Sequence, residues 1–180
     1  MTYGMRLSSL LLLALSPLAG STQSVSAHAD QVPVAIDAQA SIREFVMAEA
    51  AVERAAQQPG TPRGNTMLSI PNVLIYSPTG SLVYRGNAST IEKTSTVLET
   101  MPASVQQMSP IPAAPSLTDM LNLVPSFKSQ AANVLHDGHY VVYVVTMKRD
   151  VPTATQKSVT ALRGRSANLS IDTFILYLQE

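Results

Sequence analysis

His136 and His139 stand on either side of Asp137-Gly138, just ahead of an apolar run. Two imidazoles with a carboxylate between them are donor types that can meet at one metal ion. No third firm ligand accompanies them, and Asp137-Gly138 equally makes a turn that leaves both rings in solvent. His136 and His139 are therefore candidate ligands only, and no cofactor is expected.

Other chemistry needs other sets. Glu49 and Glu53 lie one helical turn apart, so they can share a site or mark the solvated boundary of a helix; their place beside an apolar stripe favours the boundary. A serine hydrolase needs a nucleophile, a base and an orienting acid. Asp150 and Asp172 lie near expected strand ends, but no Gly-x-Ser-x-Gly elbow is present. Neither phosphate-cradling glycine motif occurs. Lys148-Arg149-Asp150 follows a strand pattern, the place where α/β sheets bind ligands, though a polar loop reads the same way. Asn87-Ala88-Ser89 and Asn168-Leu169-Ser170 fit the N-glycosylation triplet, which matters only in a eukaryotic secretory pathway.

Composition narrows the classes. The 180 residues hold 12 basic and 12 acidic side chains, with no run of either sign. That balance gives no footprint for nucleic acid or an anionic membrane. With no cysteine in the chain, disulfide exchange, peroxide reduction and cysteine-zinc sites are excluded. Arg6, the apolar run Leu10–Leu15 and Ala27-His28-Ala29 have the order of a signal peptide over residues 1–29, cleaved before Asp30. No run reaches the ~20 apolar residues of a membrane span. Cleavage leaves ~150 residues, a size that buries about 68–70% of its unfolded surface.

These residues must be positioned by recognisable elements. Val32, Val34 and Ile36 alternate around Pro33, which predicts a short edge strand within 30–36. Ser41 and Glu44 have capping-box spacing ahead of a helix whose apolar face carries Ile42, Phe45, Ala48, Val52, Ala55 and Ala56. Val73–Tyr76 and Leu82–Tyr84 flank Ser77-Pro78-Thr79-Gly80 as a hairpin. Ile91, Thr94, Val97, Leu98 and Met101 follow at helical spacing. Pro102, Pro110, Pro112 and Pro115 mark a connector over 102–115, dividing a 30–101 half from a 116–180 half. Ser116 and Asp119 cap a short helix that Pro125 interrupts, and a second helical piece runs through Phe127, Ala131, Val134 and Leu135. Tyr140–Val145 is apolar on both faces, as an interior strand is. Residues 153–164 suit a helix, although Ser158–Ala161 would equally suit a strand; Ile171–Leu178 is the last strand. Strands separated by helical patterns indicate an α/β (or α+β) fold.

The stretch Ile70-Pro71-Asn72-Val73-Leu74-Ile75-Tyr76-Ser77-Pro78-Thr79-Gly80-Ser81-Leu82-Val83-Tyr84-Arg85-Gly86 resembles the C-terminal half of thioredoxin-like domains. There a cis-proline opens a strand, a glycine turn follows, a second strand ends near a glycine, and a helix closes the unit. Pro71, Gly80, Gly86 and the helix from Ser89 occupy those places. The resemblance implies a small mixed sheet flanked by helices, with Pro71 lining a substrate groove. The family's Cys-x-x-Cys has no counterpart: the corresponding stretch is Asp37-Ala38-Gln39-Ala40. Tyr140–Leu178 looks like the β-α-β half that the order of the chain leaves out. The expectation is an exported, non-catalytic α/β domain, periplasmic or secreted, that binds a protein or peptide of the cell envelope. The alternatives are a metal-binding protein or enzyme using His136 and His139, and a redox-inactive thioredoxin-like domain.

Overall fold

Tyr140–Met147 (β4) is apolar on both sides because it lies third of five strands, with helices on either face. The computed structural model describes residues 33–56, 70–130, 133–135, 138–147, 153–166 and 168–180, within one compact unit, Gln31–Glu180. The other strands are Ala35–Ser41 (β1), Asn72–Tyr76 (β2), Leu82–Asn87 (β3) and Ile171–Gln179 (β5). Their order is β1-β5-β4-β2-β3. β1 and β4 both run parallel to β5, whereas β2 is antiparallel to β4 and to β3. The fold is α/β, a mixed sheet flanked by helices.

Alternation along each strand divides the side chains between two cores. On one face Leu74, Tyr76, Val141, Tyr143, Phe174 and Leu176 meet Phe45 of α1 (Ile42–Ala56), together with Leu117, Met120 and Leu121 of α3 (Leu117–Asn122). Phe127 of α4 (Pro125–Lys128) stands edge-on to Tyr143 and Phe174, with centroids 5.6 and 5.1 Å away. On the other face Val73, Ile75, Val142 and Val144 meet Val97 and Leu98 of α2 (Ile91–Thr100) and Val159 and Leu162 of α5 (Thr153–Ser166). Fully burying each such side chain contributes about 1.5–3 kcal/mol.

Local rules place the ends of these elements. Ser116 accepts a hydrogen bond from the Asp119 N–H at 3.2 Å, and Asp119 accepts one from the Ser116 N–H at 3.1 Å. This closes the expected capping box. Pro125 begins α4, the position where its missing N–H costs nothing. The second helical piece is interrupted: α4 ends at Lys128, Ala131 is outside the described residues, and 133–135 are helical again, with Val134 buried in the same core. Residues 153–164 are helical, so β4-α5-β5 is a parallel crossover unit.

The first strand differs from expectation. It forms at Ala35–Ser41 instead of 30–36, and is an edge strand as Pro33 requires. Its register is set by pairing with β5, Ala35 opposite Thr173, and Pro33 with its missing N–H stays ahead of the ladder. Asp37–Ala40 thus lies inside a strand. The stretch 102–115 is tied to the hairpin: the Ile111 N–H donates to the Leu82 carbonyl at 2.8 Å, and Val105 and Pro115 are buried. The Ile70–Pro71 and Met101–Pro102 peptides are cis. Residues 1–32, including the expected leader, are outside the described residues.

Candidate functional site

Three polar arrangements compete for the role of a site. The first is at the carboxyl end of β4. Asn72 opposes Val145, so Pro71, itself buried, comes alongside the last residues of β4. On the other flank of β4, Thr146 opposes Tyr177. α5 begins six residues after β4 ends and returns over the same face. Between them is a pocket of about 190 Å³, lined by Val144, Thr146, Ile175 and Tyr177 from the strands and by Thr155, Val159 and Arg163 among the residues of α5. Thr146 and Thr155 are buried at its floor, while Gln156 and Thr160 are exposed at its rim. Arg163 is already engaged: its Nε donates to Thr173 Oγ1 at 3.0 Å and its Nη2 to Asp37 Oδ1 at 2.6 Å. The place is the one where parallel sheets hold ligands, beyond the carboxyl ends of the strands. Lys148-Arg149-Asp150, singled out for this reason, lies outside the described residues. On the α1 side of the same mouth, Asn72 is 5% exposed, and its Oδ1 has no hydrogen-bond partner among the described residues.

The second arrangement is beneath α1. Glu49 and Glu53 do not share a site. Glu53 reaches outward to Arg85, 3.4 Å away, while Glu49 is 6% exposed. Burial raises the Glu49 carboxyl to about 7, the Glu53 charge adds to the rise, and Arg85 opposes it. Tyr76 and Tyr143, diagonal neighbours on β2 and β4, lie below it with hydroxyls that have no hydrogen-bond partner among the described residues. Burial also raises both phenols far above their ordinary range, so they stay neutral. A carboxyl near 7 is suited to proton transfer. This one is set in an apolar layer, and its effect falls on folding. The tyrosines carried no sequence signal; only strand pairing brings residues 76 and 143 under residue 49.

The third arrangement is at the opposite end of the sheet, about 20 Å along β4. His139 Nδ1 is 3.3 Å from both oxygens of Asp172, and the Val34 N–H donates to Asp172 Oδ1 at 2.6 Å. His139 is thus occupied by a fully buried carboxylate. His136, Asp137 and Asp150 are outside the described residues. Among the described residues, no three His, Asp or Glu side chains gather as a metal site requires. The His139–Asp172 pair fastens the chain just before β1: Thr173 N–H also donates to the Val34 carbonyl, at 2.8 Å.

The first combines a pocket with an exposed rim. Comparison with protein-family models, curated proteins and solved structures finds no significant match.

Proposed function

We propose that this chain is an exported, non-catalytic domain of thioredoxin-like architecture, periplasmic or secreted, that binds an extended segment of another envelope protein at the mouth beside Pro71. The observation that carries this reading is the position of β4-α5-β5 directly beside the hairpin, with β4 antiparallel to β2. The β-α-β half follows the hairpin in sequence, yet it takes the place in the sheet that the family gives to its leading half. In that arrangement the place of the family's Cys-x-x-Cys falls between β4 and α5 and not at Asp37–Ala40, which lies within β1. The chain has no cysteine there or elsewhere, so the mouth offers contacts and no thiol chemistry. A surface of strand ends and one pocket suits an extended peptide, whose alternate side chains fill pockets while its backbone lies along the strand ends.

The test is selection of short extended peptides from a display library against the purified protein, followed by affinity measurement. Peptides selected in this way should bind Pro71→Ala about tenfold more weakly, a loss of ~1.4 kcal/mol. The urea midpoint of the variant reports whether the fold is retained. Met47→Ala, on the exposed side of α1 at 66% accessibility, should leave binding unchanged. Enrichment of no peptide, or binding that Met47→Ala weakens and Pro71→Ala leaves intact, overturns the reading.

A further inference from the structure

We infer that the pocket between α5 and β5 is a socket for one neutral, hydrogen-bonding side chain of the bound segment, of the carboxamide type that Gln and Asn carry; this rests on the peptide reading above. Size sets the first limit. A dry cavity of about 150 Å³ holds a benzene ring, so 190 Å³ takes one side chain and not a cofactor. The walls set the second. Val144, Val159 and Ile175 present methyl groups that cover an aliphatic stem, and the Thr146 and Thr155 hydroxyls lie at the buried floor.

Thr155, in the first turn of α5, is 3% exposed. An aliphatic guest would strand a hydroxyl at the floor, whereas a carboxamide accepts from one group and donates to another. Charge sets the third limit. Arg163, the one cation among the described lining residues, is paired with Asp37, so the described lining offers a carboxylate guest no unpaired positive charge. Gln156 and Thr160, both exposed, stand at the entrance.

The test uses capped single residues as probes with the isotope-labelled full chain. N-acetyl-glutamine methylamide should shift the Thr155, Gln156 and Thr160 amide signals saturably in the millimolar range. The leucine and glutamate analogues should bind about tenfold more weakly. Thr155→Val, which keeps the shape and removes the hydroxyl, should weaken the glutamine probe about tenfold and leave the leucine probe unchanged. Thr160→Trp, at an exposed rim position, should abolish both. The socket is overturned if the leucine or glutamate probe binds as tightly as glutamine, or if none shifts these signals. Display-selected peptides that depend on Pro71 but ignore Thr160→Trp would also sink the socket while the peptide reading stands. A glutamine probe that binds where no peptide does would leave the socket and remove the peptide reading.

Discussion

Glu49→Gln is the substitution whose effect the structure fixes most closely. The carboxyl is 6% exposed in the folded chain, and its pKa rises from 4.5 to about 7 there. The folded state therefore holds this proton where the unfolded state has released it. Since stability changes with pH as the difference in bound protons, it falls as pH rises from about 4.5 and levels off above about 7. The full loss is on the order of 3 kcal/mol, because one pKa unit corresponds to about 1.4 kcal/mol. Glutamine has the same shape and no charge to desolvate. At pH 4 the variant should match the parent to within about 1 kcal/mol, the worth of one neutral hydrogen bond gained or lost. At pH 8.5 it should be the more stable by about 2–3 kcal/mol. In urea, with a slope of about 1–3 kcal/mol per molar, that is a rise of about 0.7–3 M in the midpoint. Other titrating groups cancel when the two proteins are compared at each pH. A stability difference that stays constant from pH 4 to pH 8.5 would refute the reasoning, as would one that grows toward acid.

Three further outcomes follow. A Cβ placed on Gly86 would come 2.2 Å from Thr94 Oγ1 and 3.0 Å from Thr94 Cγ2. Gly86→Ala should thus cost about 1–3 kcal/mol in chemical denaturation, and Gly86→Ala with Thr94→Ala should recover part of it; equal loss in the single and double variants would show that the clash is not the cause. Ser116→Ala removes a cap whose Oγ accepts from the Asp119 N–H and donates to the Asp119 carboxylate, so melting should drop by an amount equal to about 1 kcal/mol, and an unchanged melt would mean the hairpin contact at Gly80 holds α3 in place without it. Protein recovered from an expressing host should begin at Asp30 on N-terminal sequencing, and an intact Met1 in the exported fraction would remove the leader from the reading.

The sequence was most legible where one local rule decides. The Pro-Gly turn before Leu82, the two-sided apolar run of β4 and the Ser116–Asp119 box all stand where those rules put them. β1 was displaced because alternation at 32–36 said nothing about a partner strand, and its register is dictated by residues more than a hundred positions away. The site was less legible for the same reason. Glu49 and Glu53 look equivalent by spacing, yet only crossing over β2 and β4 buries one and leaves the other at Arg85. His139 resembles half of a metal motif until Asp172, on another strand, is seen to occupy it. The pocket depends on the pairing of Thr146 with Tyr177 and on α5 returning over them, which no single window of residues contains.

The outermost strand, β1, is hydrogen-bonded to β5, so the earliest described strand to leave the ribosome is seated by the last. Until residues 171–179 have been made, residues 35–41 lack the strand they join, and the sheet cannot reach its full width. A chain stopped short of Ile171 lacks β5 and the seat of β1 together. Quality control would then meet such a fragment as two loose ends flanking a three-stranded remnant, a form that proteases clear quickly.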